Sequence, residues 1–187
     1  MPRPPKHRDA LVAETAKLLR RQGYSATGLD QILVQAGATN GSLYHHFPGG
    51  KEELALAAIG ASAEAIRRGI ESTFAAHDEP TEALRAWITF RISELEADPL
   101  AGCPIAPAAL DSALSSPALR AASDEAFASW ESVLTKHLRR GGVAKPDATA
   151  RVVLSAIEGA LLLDRTAGST THLRALRGAL PLLVQSA

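Results

Sequence analysis

One cysteine, Cys103, stands in 187 residues, which excludes an intrachain disulfide and any cysteine-rich zinc centre. No apolar run reaches the roughly 18 residues that a membrane span needs. The first ten residues, MPRPPKHRDA, carry charge but have no apolar stretch behind them, so they do not read as a secretory signal. A soluble, cytoplasmic protein that does not enter the membrane is the resulting expectation. Aromatic residues make up 4% of the chain, β-branched runs are scarce and strand-like alternation is missing, so the chain reads as helical throughout.

Net charge is also lacking, but the zero hides an asymmetry. Residues 1–51 hold seven Lys/Arg against three Asp/Glu, and the remainder holds 13 against 17. His7, His45 and His46 also fall in the basic part. A basic head on an acidic body suits a polyanionic partner, and it also suits a plain solvated face.

Leu11, Thr15, Leu18, Leu19 and Gln22 recur at helical spacing, and Gly23 can close that helix. TGLD at 27–30 has the form of a capping box and predicts Thr27 as the N-cap of a second helix, which Gly37 stops. Thr39 opens a third short helix, with Leu43 and Phe47 turned toward Ile32 and Leu33. Pro48, Gly49 and Gly50 end it. A proline-free run from about 51 to 77 predicts roughly 40 Å of continuous helix, with Leu54, Ala58, Ile66, Ile70 and Phe74 along one stripe. Pro80, Pro104, Pro117 and Pro146 each suit a first helical turn, and Ser116 suits an N-cap. The expected later helices are 80–97, 104–114, 117–140, 146–167 and 171–185, about nine in all. The fold class is all-α, with a three-helix head over 1–50 and a larger helical body over 51–187.

The densest chemistry lies in GATNGSLYHHFPGGKEEL at 37–54. A metal site on His45 and His46 is disfavoured, because adjacent helical residues point about 100° apart and no further ligand stands three or four residues away. The Gly-Lys pair at 50–51 is not a phosphate loop: the required first glycine position holds His45, and Glu52 follows the lysine. Cys103 has no neighbouring histidine and reads as a structural thiol. No catalytic residue is assigned and no cofactor is called for. A short helix, a glycine-bearing turn and a second short helix form the helix-turn-helix arrangement. Its second helix opens with Thr39, Asn40, Gly41 and Ser42, which are small or hydrogen-bonding, as reading bases requires. Tyr44, His45 and His46 can reach phosphates or base edges, and covering the head's core is the alternative role for Tyr44 and His46.

TGLDQILVQAGATNGSLYHHFPGGKEEL resembles the DNA-binding head of the TetR family of bacterial transcriptional regulators, over about residues 8–60. The two glycines before Lys51, and AGCPIAPAALD at 101–111, resemble its LmrA/YxaF-like branch. The resemblance implies that the third helix, 39–46, reads bases. It implies that Thr27, Gly28 and Lys51 hold phosphates, and that Tyr44 and His46 contact the DNA backbone. His45 stands where the family often has an aromatic residue.

The resemblance further implies a body that dimerises and holds a small effector. Trp87, Phe90 and Arg91 lie close on one predicted helix, and Phe127, Trp130 and Leu134 share spacing on another. They are the candidate pocket, with Arg91 and Glu158 as its polar groups; ordinary core packing is the alternative. Ala156, Gly159 and Ala160 are candidates for a dimer seam made by the last two helices. The expected function is a homodimeric repressor on a palindromic double-stranded operator. It would be released by a small apolar or aromatic compound and control an efflux or detoxification gene. Within the family the alternatives are an activator and a regulator without an effector. The alternative outside it is a ligand-binding or catalytic helical bundle with a vestigial head.

Overall fold

The computed structural model describes residues 6–100, 102–112 and 115–184. The described residues form nine α-helices and no strand. They are α1 (Lys6–Gln22), α2 (Leu29–Ala36), α3 (Asn40–His46), α4 (Gly50–Ala75), α5 (Pro80–Ala97), α6 (Ala106–Ser112), α7 (Pro117–Arg140), α8 (Pro146–Ala167) and α9 (Thr171–Leu183). The protein is all-α, as its periodicity predicts. The expected ends of the sixth helix at 114 and of the ninth at 185 lie outside the described residues. The chain divides into two compact units, Met1–Glu64 with Pro104–Ala126, and Ala65–Cys103 with Phe127–Ala187.

The first unit gathers α1, α2, α3, α6 and the first parts of α4 and α7. Its core joins Leu11 and Leu18 of α1, Ile32 and Leu33 of α2, Leu43 in the middle of α3 and Phe47 just after it, and Leu54 of α4. A helix of seven residues is too short to persist on propensity. Burial of Leu43 and Phe47, worth about 1.5–3 kcal/mol each, holds α3 in place. The local signals act where expected at two caps. The Thr39 hydroxyl accepts the Ser42 N–H at 3.2 Å, and the Ser116 hydroxyl accepts the Leu119 N–H at 3.1 Å.

Two expectations need correction. Thr27 is not the cap of α2: Gly28 holds that position, without a side-chain cap bond. The Thr27 hydroxyl instead donates to the Gly23 carbonyl at 2.6 Å and is buried, so it closes the turn after α1. Pro104 does not open α6. That helix begins at Ala106, where the Ala109 N–H reaches the Ile105 carbonyl, and Pro107 occupies its first turn.

In the second unit, α5 buries Ala83, Leu84, Trp87, Ile88, Arg91, Ile92 and Leu95, one continuous helical stripe. Phe90 falls outside that stripe and is 51% exposed. Helix α8 buries Ala150, Val153, Ile157, Ala160, Leu161 and Asp164 on its inner side. Asp164 is wholly buried yet fully engaged. Its carboxylate accepts the His172 N–H at 2.9 Å, the His172 Nδ1 at 2.8 Å, the Leu173 N–H at 2.8 Å and the Ser169 hydroxyl at 3.2 Å. It thereby satisfies first-turn donors of α9, which has no cap bond from its own N-cap residue Thr170.

Candidate nucleic-acid interface

Anchored by Leu43 and Phe47, α3 turns its other side outward. Thr39, Asn40, Gly41, Tyr44 and His45 are exposed, and Ser42 and His46 are partly so. The residues of this turn and helix named for DNA thus all keep some exposure. The rings of His45 and His46 stand edge to face at 4.9 Å. Tyr44 lies over the following turn, where Gly50 adopts φ +67°, a left-handed conformation that side chains rarely enter. A Cβ on Gly50 would stand 3.4 Å from the Tyr44 ring. The second glycine before Lys51 thus lets α4 start close under α3. The Glu53 carboxylate fixes that start by accepting the Gly49 N–H at 2.7 Å.

Lys51 is partly buried, with its ammonium 4.2 Å from the centroid of the Tyr24 ring. Burial pushes its pKa below the usual lysine range, and the nearby Asp111 carboxylate opposes that shift. Thr27 contributes no outward hydroxyl, whereas Gly28, at the head of α2, is exposed.

Sequence reasoning missed two long-range contacts of this unit. Asp111 of α6 accepts both the N–H and the hydroxyl of Ser25, the latter at 2.8 Å. Those donors, the backbone N–H first, hold its carboxyl below the usual range; Lys51 adds to the effect and burial opposes it. Ser116, besides capping α7, donates its hydroxyl to Glu52. Nothing local in the sequence signals these bonds, whose partners lie 86 and 64 residues apart.

The predicted effector residues separate. Trp130 and Leu134 are 1% exposed and belong to the core, and Phe127 meets Trp130 edge to face at 5.2 Å. Phe90 is exposed, 5.6 Å from the Trp87 ring. The charge of Arg91 does reach Glu158. Arg91 is 3% exposed, pairs with Glu94, donates to the Gly102 carbonyl at 3.0 Å and stands 6.0 Å from the Trp87 ring. Burial pushes the Glu158 carboxyl up, against a hydrogen bond from Cys103 and the charge of Arg91. Two cavities of about 210 and 290 Å³ lie elsewhere in this unit. The first is lined by Leu95, Glu96 and Asp164 among others, and the second by Phe74, His77, His137 and Arg140 among others. Ala156 and Gly159 are partly exposed on α8, while Ala160 is buried on its inner side.

A short outward helix on a small apolar core, preceded by a capped turn and followed by a lysine, defines a helix-turn-helix regulator. The profile for bacterial regulatory proteins of the tetR family matches residues 11–58. That for the C-terminal domain of LmrA/YxaF-like transcriptional regulators matches residues 80–179. The HTH-type transcriptional regulator LmrA of Bacillus subtilis (strain 168) is 35% identical over 181 residues, covering 95% of this chain and 96% of the relative. YxaF of the same organism is 34% identical, covering 95% of each. The fold matches a TetR-family regulator from Agrobacterium tumefaciens with a TM-score of 0.87 over 98% of this chain and 100% of that one, at 24% identity. The chain belongs to the TetR family of bacterial transcriptional regulators, in its LmrA/YxaF-like branch.

Proposed function

We propose that the protein is a repressor that binds a palindromic operator as a homodimer and leaves it when a small apolar or aromatic compound binds. The observation that carries this reading is the division of α3, with Leu43 and Phe47 buried and Thr39, Asn40, Gly41, Tyr44 and His45 presented outward. Residues 1–50 act as the head and 51–187 as the body. Helix α3 enters the major groove, and Asn40 reads a base edge there. Gly28 contributes backbone N–H at the start of α2, Lys51 its ammonium, and Tyr44 and His46 their polar tips, all to phosphates. Thr27 supports this surface through the bond of its hydroxyl to the Gly23 carbonyl rather than through a phosphate contact.

Selection from random duplexes, followed by a band shift on the enriched site, tests the reading. A protein that enriches no site above random DNA is not this kind of repressor. Asn40→Ala is expected to relax preference at one operator position, at a cost of about 1–3 kcal/mol for the preferred base. Lys51→Ala is expected to weaken all sequences alike and to reduce the log–log salt slope by about 1.

Arg91, buried beside Trp87 with Glu158 within reach of its charge, supports an effector site in the body, because a few polar groups on an apolar frame suit a small ligand with polar handles. Trp87 also touches α4: a Cβ on Gly69 would stand 2.8 Å from its ring. A compound that moves Trp87 therefore acts on the helix that begins with Gly50 and Lys51. Release requires the compound to favour the non-binding state, at a coupling of about 1–3 kcal/mol, or roughly 5- to 150-fold in operator affinity. Linkage demands that operator DNA weaken compound binding by the same factor. Titrating a tryptophan-quenching aromatic compound with and without operator checks this; equal affinity in both titrations rejects the mechanism. Control of an efflux or detoxification gene completes the proposal, and transcript levels of neighbouring genes in a deletion strain test it.

A further inference from the structure

The first unit contains a carboxylate that the proposed function does not use. Asp111 lies on α6 and is exposed, so no need to bury a charge accounts for its bonds. It accepts the N–H of Ser25 and, at 2.8 Å, the Ser25 hydroxyl. The preceding residue, Tyr24, carries the Lys51 ammonium on its ring at 4.2 Å. A backbone N–H, a hydroxyl and an ammonium are the groups with which proteins hold a nucleic-acid phosphate. Here the N–H and the hydroxyl bind an anion of the chain itself, and the ammonium stands on the ring of the neighbouring residue. The acids that follow Lys51 are committed elsewhere, Glu52 to the Ser116 hydroxyl and Glu53 to the Gly49 N–H.

We infer that Asp111 is an internal counter-ion to Lys51, competing with DNA phosphate for that ammonium and holding affinity for DNA below what the head would otherwise reach. The inference rests on Lys51 being a phosphate contact. Lys51 stands on the Tyr24 ring while Asp111 binds the next residue, Ser25, so the two charges flank the same turn, and each favours the other's charged form. Two opposite charges near the surface bias binding by a few-fold, not by orders of magnitude. A carboxylate beside the lysine also lowers the count of cations that DNA can recruit, and so flattens the salt dependence. Asp111 is thus a positioning residue: it sets how much of the Lys51 charge is offered to DNA and touches no base.

The test uses the full chain, a random-sequence duplex and the selected operator, with affinity measured across a salt series. Asp111→Asn keeps an oxygen for Ser25 and removes the charge. It is expected to bind both duplexes about three- to tenfold more tightly at low salt, with a log–log slope steeper by up to about 1. In a Lys51→Met background the same change is expected to alter neither quantity. Ser25→Ala, which frees the carboxylate from the hydroxyl but keeps its charge, is expected to retain the wild-type slope. Asp111→Ser carries the same expectation as Asp111→Asn, should the asparagine variant melt below the assay temperature. Unchanged or weaker binding by the Asp111 variants, or a Ser25→Ala variant that matches them, overturns the inference and leaves Asp111 a structural clasp. A wild type with no salt-dependent affinity for either duplex instead overturns the DNA-binding reading beneath it.

Discussion

Asp164→Ala is expected to lower the unfolding free energy by about 3–5 kcal/mol at neutral pH, the range for removing one partner from a buried charged network. The side chain is wholly buried and accepts four bonds, from the backbone N–H groups of His172 and Leu173, the His172 ring and the Ser169 hydroxyl. Alanine leaves the first turn of α9 with two buried or half-buried N–H groups that no cap residue replaces. Burial by itself pushes the Asp164 carboxyl up, but the Leu173, His172 and Ser169 donors outweigh it and leave the pKa below its ordinary value. The sign follows from linkage. A depressed folded-state pKa means that the unfolded chain takes up the proton first as pH falls. The charge-linked stability is therefore complete above the ordinary carboxylate value of about 3.9 and is lost as pH drops through the folded value. Denaturant melts of wild type and variant should differ most near neutrality and converge in acid. A gap below about 1 kcal/mol at pH 7 would show that α9 does not depend on this carboxylate.

The features that were legible in the sequence are those set by neighbours three or four residues apart. Thr39 and Ser116 cap helices as their spacing predicts, and Pro80 and Pro146 open them. Leu43 and Phe47 fall inward because they share a side of a single turn. Thr27 departs from its expected role for a related reason. A threonine before a helix can bond forward as a cap or back to the carbonyl four residues earlier, and the free Gly23 carbonyl took the hydroxyl.

The body is less legible because residue type does not reveal register. Arg91 shares the buried stripe of Trp87 and Leu95, whereas Phe90 lies one position off it and is exposed. Residue type alone makes both Phe90 and Arg91 candidates for the pocket, and register separates them. Asp164 repeats the lesson, continuing the inner stripe Val153, Ile157 and Leu161. The Asp111–Ser25 bonds could not be read at all, since nothing local brings residues 86 apart together.

Gly159→Arg is expected to yield a monomer whose operator affinity falls by about two orders of magnitude or more, while its own fold persists. On α8, Val152 and Leu163 are 51% and 50% exposed, and Ala156 and Gly159 lie between them at the same helical face. On α9, Ala175, Gly178 and Leu182 repeat the arrangement, with Leu182 76% exposed. Small residues flanked by exposed leucines let a second pair of helices approach closely, and a two-fold operator requires two heads in fixed register. A Cβ at Gly159 meets nothing within 4 Å, so arginine can be accommodated without disturbing the chain's own packing. Its charge would instead be carried into the proposed seam, where burying it is costly. Losing the second head removes the benefit of linked binding, which is worth factors of about 10² to 10⁴. Sedimentation at micromolar concentration, circular dichroism and a band shift on the selected operator separate the possibilities. A folded monomer with weakened operator binding is the expected result. A wild type that already sediments as a monomer, or a variant that dimerises and binds as wild type does, would remove α8 from the interface.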